Sequence, residues 1–220
     1  MRTFIRNNSL GLAVLMLFAL TLGGQIVAGY AEANDDRVAH KEAPIGLSSY
    51  LVSGHFIEAV FENWESEFLQ MAAFVVLTVH LRQKGSPESK PLEGNQPVDK
   101  EPDPRRRRAP WPVRKGALVL KLYENSLGLA LIALFILSFA LHAVGGAADY
   151  NEEQQSHGAI ERVDPISYIA TNRFWFESLQ NWQSEFLSVG ALVLLSVFLR
   201  QKGSPESKPV DSPHDETGSV

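Results

Sequence analysis

One stretch of this chain occurs twice, each time at the start of a long apolar run. Residues 63–69 read Asn-Trp-Glu-Ser-Glu-Phe-Leu, and residues 181–187 read Asn-Trp-Gln-Ser-Glu-Phe-Leu. Both runs end in the same block, Arg-Gln-Lys-Gly-Ser-Pro-Glu-Ser-Lys-Pro, at 82–91 and 200–209. Because the repeat covers nearly the whole 220-residue chain, it predicts two copies of one two-helix unit.

The other two apolar runs, at 10–27 and 127–144, hold eighteen residues each and no Asp, Glu, Lys or Arg. As helices they would be about 27 Å long, close to a bilayer core of about 30 Å. The first run could also be a signal peptide. Both runs open with Asn-Ser-Leu-Gly-Leu-Ala, and an internal copy cannot be a cleaved leader. We therefore expect residues 9–29 to be a retained span, followed by a loop.

The run at 68–81 has only fourteen residues, about 21 Å as a helix, which is too short to cross a bilayer alone. Residues 56–61 and Trp64 are expected either to supply the missing length or to lie along the membrane interface. The chain is thus predicted to be an all-α polytopic membrane protein. Its four transmembrane helices would form two tandem parallel repeats, since each unit holds an even number of spans.

Composition divides the chain into four parts. Residues 1–85 and 117–203 are the predicted two-span membrane units. Residues 86–116 are rich in Pro and charge and are predicted to be a disordered basic linker, and 204–220 a disordered tail.

The positive charges predict the orientation. Eleven of the twenty Lys and Arg residues lie between 82 and 121, whereas the loops after the first and third spans are acidic. By the positive-inside rule, both termini and the linker are expected to face the cytoplasm and the two acidic loops the outside.

The recurring stretch places polar residues on one helix face in each copy, where they face protein or water rather than lipid. The candidate polar site comprises Asn63, Ser66, Glu67, Asn181, Ser184 and Glu185. The alternative is that the asparagines are N-caps and the glutamates interact with the helix dipole at the membrane surface. The exchange of Glu65 for Gln183, while Glu67 remains Glu185, favours the polar site.

Two histidines at equivalent positions form a weaker candidate site. His40 and His157 could hold a metal ion or a proton together with neighbouring acids, which are Asp35, Asp36, Glu152 and Glu153. Their spacing matches no compact metal motif, so no metal is specified, and exposed loop residues are the alternative. His142 is expected to hydrogen bond between helices.

The run Arg105, Arg106, Arg107 and Arg108 is a candidate site for anionic lipid headgroups. Alternatively, it only keeps the linker inside. No folded module accompanies it, so nucleic-acid binding is not predicted. The expected partners are the bilayer and further copies of the chain, because four spans enclose little volume.

The chain has no cysteine, which excludes disulfides, zinc-thiolate sites and cysteine nucleophiles. It also lacks a phosphate loop, a nucleophile elbow and a dinucleotide fingerprint. We therefore predict a non-enzymatic protein without a cofactor, and a membrane enzyme that uses His40 and His157 is the weaker alternative.

The Asn-x-Ser-Leu-x-Leu opening at 7–12, the two Trp-x-Ser-Glu-Phe elements and the terminal Ser-Pro-Glu-Ser-Lys-Pro blocks resemble an uncharacterised family of bacterial integral membrane proteins, a domain of unknown function. The resemblance implies a bacterial inner membrane location and adds no mechanism. The leading hypothesis is a small cation- or proton-handling polar site between transmembrane helices. The alternative is a membrane-anchored interaction or scaffold protein that acts through its basic linker.

Overall fold

The structure is a computed structural model that describes residues 2–94, 96–158 and 160–218. Within those residues every extended regular element is helical, which confirms the all-α prediction. The helices are α1 (Arg2–Asn7), α2 (Ser9–Ala39), α3 (Leu47–Tyr50), α4 (Gly54–His80), α5 (Trp111–Lys115), α6 (Ala117–Glu124), α7 (Ser126–Ser156), α8 (Pro165–Ile169) and α9 (Asn172–Phe198). A 3₁₀ turn at Pro97–Asp99 lies between α4 and α5.

The longest helices, α2 and α7, have 31 residues each and are about 46 Å long at the usual rise. They continue through the acidic segments 34–36 and 151–153, which were predicted to be loops. No Pro or Gly interrupts α2 between Gly29 and Pro44, so the helix has no strong stop signal there. By length and composition, these are the two described helices that could cross a membrane, and not four.

Helices α4 and α9 have 27 residues each, about 40 Å. The prediction that residues before 68 lengthen the short apolar run agrees with α4, which begins at Gly54. The N-cap interpretation of Asn63 and Asn181 is wrong, because each lies nine residues inside its helix. The polar first halves of α4 and α9 explain why these helices lack the apolar composition of α2 and α7.

The chain divides into two compact units. The first comprises Met1–Phe61 and Ala140–Phe174, and the second comprises Glu62–Phe139 and Trp175–Val220.

In the first unit, glycines allow backbone-to-backbone contact between α4 and α7. A Cβ atom at Gly145 would lie 2.5 Å from the backbone nitrogen of Glu58, and one at Gly54 would lie 2.4 Å from the backbone nitrogen of Asp149. No side chain fits at either position. The crossing therefore fixes Glu58 at the interface of the two helices.

Two asparagines in the first unit tie down the loops that follow α2 and α7. The Asn34 side chain accepts a hydrogen bond from the Ile45 backbone nitrogen at 2.7 Å and donates to the Ile45 oxygen at 3.3 Å. Asn151 makes the same two bonds with Val163, both at 2.8 Å. Both loops are thereby held against the helix ends.

In the second unit, the two Ser-Pro-Glu-Ser-Lys-Pro blocks have the same turn. The backbone nitrogens of Gln83 and Gln201 donate to the hydroxyls of Ser89 and Ser207, respectively, each at 2.9 Å. The blocks then differ at the following lysine. Whereas Lys90 forms an exposed ion pair with Asp99, the equivalent lysine is buried in the tail.

That lysine, Lys208, is 2% exposed. Its Nζ donates to the backbone oxygens of Pro213, His214 and Glu216 at 2.9, 3.0 and 2.9 Å. The pKa of the Lys208 ammonium is lowered, mainly because the group is buried. The C-terminal segment, which was predicted to be disordered, therefore has specific contacts in this structure.

Candidate functional site

A cavity of about 350 Å³ lies in the first unit where α2 and α7 end. It is lined by Glu32, Ala33, Asp36, Arg37, His40, Glu42, Ile45, Ser53, His55, Asp149, Glu152, Glu153, Ser156, His157 and Arg173, and we call it the histidine cavity. Six carboxylates against two guanidinium groups leave four net negative charges when the histidines are neutral. Such a wall attracts cations.

Two of the histidines, His40 and His157, face each other across the cavity. Their ring centroids are 6.3 Å apart and the ring planes are perpendicular. The structure therefore brings together the pair that the sequence hypothesis combined. Three of the four acids in that hypothesis, Asp36, Glu152 and Glu153, line the cavity with them.

Arg173, near the start of α9, connects the cavity to the interior of the first unit. Its guanidinium donates to Glu153 and, at 3.3 Å, to Asp149. It also lies 4.0 Å from a carboxylate oxygen of Glu58 and 5.7 Å from the ring centroid of Tyr150. Three carboxylates therefore share one guanidinium, so this cluster has two more negative than positive charges.

Glu58 is the most deeply placed carboxylate of that cluster, with 7% of its surface exposed. It accepts a hydrogen bond from the Tyr168 hydroxyl at 3.2 Å. A carboxylate oxygen of Glu58 and a ring nitrogen of His142 lie within 4.8 Å of each other. His142 is itself fully buried and stacks on Phe174 with the ring centroids 4.6 Å apart. A buried carboxylate with these partners can hold or release a proton locally.

Tyr168, the hydrogen-bond donor to Glu58, packs next to the Gly145 crossing. The next residue, Gly146, leaves room for the tyrosine, because a Cβ atom there would lie 2.4 Å from its ring. On α2, Gly29 accommodates Tyr50 in the same way, with the hydroxyl 2.1 Å from a hypothetical Cβ atom. Burial, followed by the charge of Glu32, raises the pKa of the Tyr50 hydroxyl.

The sequence contained a signal for Glu58 that was not used. It is the one acid in the apolar stretch 56–61, Phe-Ile-Glu-Ala-Val-Phe, which was interpreted as additional helix length or as an interfacial segment. The equivalent position in the second copy is Phe176. The sequence predicted that His142 would hydrogen bond between helices, but only the folded structure shows that it lies beside Glu58.

The six residues of the predicted polar site differ in burial. Ser66 is buried, Asn181 and Glu185 are half-buried, and Asn63, Glu67 and Ser184 are exposed. Both serine hydroxyls donate to their own helix, to the backbone oxygens of Asn63 and Asn181 at 2.7 and 2.8 Å. Glu67 and Glu185 are close enough for their charges to interact.

The neighbouring Glu65 is fully buried, which the sequence analysis missed. One of its carboxylate oxygens accepts a hydrogen bond from the Trp182 ring nitrogen at 2.9 Å. Trp182 lies among aromatic rings, with the centroids of Phe135 and Trp175 each 6.2 Å away. The recurring tryptophan was the available signal, because its ring nitrogen needs an acceptor when buried.

The four arginines Arg105–Arg108 are exposed and belong to a longer basic segment. Residues 105–121 contain seven exposed Lys and Arg side chains and no acid. We call residues 105–121 the basic segment. Trp111 is 61% exposed within it.

Residues 1–219 match the family described as Domain of unknown function (DUF6766). No curated protein and no solved structure matches the chain.

Proposed function

The chain belongs to this family of unknown function, and we propose that it is an integral protein of the bacterial inner membrane that takes up protons at Glu58 from the outer face and moves them across the bilayer. The proposal involves no covalent chemistry and no cofactor, so the protein would not be an enzyme.

The exposed apolar surface supports α4 and α9 as two further spans beside α2 and α7. Beyond α2 and α7, the second halves of α4 and α9 have large exposed hydrophobic side chains, including Met71, Val76, Leu77, Leu192, Leu194 and Leu195. Such a surface is unfavourable in water and favourable against lipid tails. The paired lengths of α2 with α7 and of α4 with α9 support a tandem duplication of a two-span unit.

The charge distribution supports the orientation. The basic segment and both termini would lie in the cytoplasm, as the positive-inside rule requires. The histidine cavity, with its four net negative charges, would then open to the outer face and attract cations there.

The single observation that carries the proton hypothesis is the place of Glu58. Its carboxylate is buried, lies beside the buried His142, and is joined through Arg173 to Asp149 and Glu153 of the cavity wall. Ionisable groups buried in membrane helices are costly and typically mark proton or ion pathways. The two surplus negative charges around Arg173 favour proton uptake from the cavity, and His142 would accept the proton next.

The test uses the purified full-length chain in liposomes that contain a pH-sensitive dye. A potassium gradient with valinomycin drives proton entry. We expect flux above that of empty liposomes, and Glu58→Gln should reduce it at least tenfold, because the amide keeps an acceptor for Tyr168 but cannot carry the proton.

Glu67→Gln is the matched comparison on the same helix, since Glu67 is exposed. We expect this variant to retain flux. Loss of flux in Glu67→Gln with normal flux in Glu58→Gln would support the site predicted from the sequence and refute the one proposed here. Wild-type flux equal to that of empty liposomes would refute both.

The basic segment supports a second candidate function, a membrane-anchored interaction protein. Its seven exposed cations could each contribute about 1 kcal/mol at an anionic lipid surface. Replacing Arg105–Arg108 with glutamine should weaken binding of anionic lipid to the detergent-solubilised chain and leave proton flux unchanged. Unchanged lipid binding would refute this role. Because four spans enclose little volume, we also propose a homo-oligomer.

A further inference from the structure

We propose that the histidine cavity binds one divalent transition-metal ion of the zinc class through the imidazoles of His40 and His157. The proposal shares the cavity with the proposed proton entry but requires no proton movement.

The ring separation fits a metal ion. Zinc lies about 2.0–2.1 Å from the nitrogen of a ligating imidazole. A separation of 6.3 Å between ring centroids is short enough for one nitrogen of each ring to reach a common ion. Both histidines are exposed and lie at the ends of α2 and α7, where their side chains can rotate.

The hydrogen bonds of the cavity histidines also suit a metal. The Nδ1 atom of His40 lies 3.0 Å from the backbone oxygen of Asp36, which fixes the proton on Nδ1 and leaves the lone pair of Nε2 for an ion. Metal-ligating histidines typically donate their second nitrogen to an oxygen in this way.

His55, on the wall of the same cavity, has a similar arrangement. Its Nε2 atom lies 3.1 Å from Glu32, and its Nδ1 atom is buried with no hydrogen-bond partner among the described residues. This unpartnered nitrogen belongs to a cavity-lining histidine, although the atom itself is enclosed.

Four of the six cavity carboxylates are paired with arginines, and two are not. Arg37 pairs with Glu42 and Glu152, and Arg173 pairs with Asp149 and Glu153. The other two acids lie next to histidines, Glu32 beside His55 and Asp36 with its carboxylate 3.5 Å from the His40 Nδ1 atom. Imidazole and carboxylate together favour zinc-class ions over magnesium or calcium, which prefer oxygen ligands alone.

The test is calorimetric titration of the full-length chain, purified in detergent without a polyhistidine tag, with zinc chloride. We expect one ion per chain. His40→Ala and His157→Ala should each weaken binding at least tenfold. His80→Ala is the matched control, because His80 is an exposed histidine at the end of α4 and does not line the cavity. It should bind zinc like the wild type.

Three outcomes would overturn the proposal. Zinc binding that is unchanged in His40→Ala and His157→Ala would exclude the imidazole pair. If magnesium binds as tightly as zinc, the carboxylates of the cavity bind the ion without the imidazoles. Loss of zinc binding in Glu58→Gln would place the ion at Glu58 instead. Retained binding in Glu58→Gln, whatever its proton flux, separates this proposal from the proposed function. Thermal unfolding of each variant without metal verifies that it is folded.

Discussion

The same substitution, glycine to alanine, should have opposite effects at two positions in the long apolar helices. At Gly23 in α2 a Cβ atom would have no neighbour within 4 Å. At Gly145 in α7 it would lie 2.5 Å from the Glu58 backbone nitrogen, 2.8 Å from an Ile57 methyl and 2.9 Å from the Ile57 backbone carbon. Two of those three atoms belong to the backbone, so no side-chain rotation relieves the contact.

The magnitudes follow from these surroundings. In a helix interior, alanine is about 0.5–1 kcal/mol more favourable than glycine, and Gly23→Ala should gain that amount. Gly145→Ala gains the same amount but must separate α4 from α7, and overpacking typically costs about 1–3 kcal/mol. The two variants should therefore differ by about 1–3 kcal/mol. At about 2–4 °C per kcal/mol for a chain of this size, their unfolding midpoints should differ by about 2–12 °C.

The assay is thermal unfolding in one mild detergent. Gly23→Ala is the matched control for the higher helix propensity of alanine. Each sample is compared with the wild type at the same protein concentration. If Gly145→Ala unfolds at or above the midpoint of Gly23→Ala, α4 and α7 are not in backbone contact, and the placement of Glu58 that depends on this contact is wrong.

Two further predictions concern the second unit. Lys208→Met should release the C-terminal segment, because three backbone oxygens lose their donor, whereas Lys90→Met loses only an exposed ion pair with Asp99. Amide exchange over residues 213–218 tests this, and equally fast exchange in both variants would contradict it. Burial, and then the charge and hydrogen bond of Glu206, raise the pKa of the Glu88 carboxyl. The folded chain therefore holds this proton more tightly than the unfolded chain, and stability should fall as the pH rises from the ordinary carboxyl range through the raised pKa. Glu206→Gln should flatten that fall in the unfolding midpoint between about pH 4 and pH 8, and an unchanged slope would exclude Glu206 as a cause.

The existence of the long helices could be predicted from the sequence, because uninterrupted apolar runs have few alternatives to helix. The residues at which these helices end could not be predicted. The polar residues 34–36, Asn-Asp-Asp, are typical of loops, yet no proline or glycine stops α2 before Ala39, and the helix continues. The polar residues around Asn63 suggested a helix start for a similar reason, although α4 begins at Gly54.

The candidate site was less accessible to sequence reasoning, since it depends on which helices meet. Glu58 and His142 are 84 positions apart, and only the crossing at Gly145 shows that they are neighbours. Periodicity identified the helix face of Asn63 and Glu67, but it could not show that Glu65, on another face, is the fully buried acid. The pair of His40 and His157 was a candidate because the two residues occupy equivalent positions in the repeat, and the structure places their rings 6.3 Å apart.

The glycine crossing also limits how the first unit can move. Because the backbones of α4 and α7 touch at these glycines, no side chains lie between them that could slide or compress. The two helices are therefore expected to move together at this level. Widening of the histidine cavity then depends on the loops that follow α2 and α7. The hydrogen bonds of Asn34 to Ile45 and of Asn151 to Val163 hold those loops and would limit how far they open.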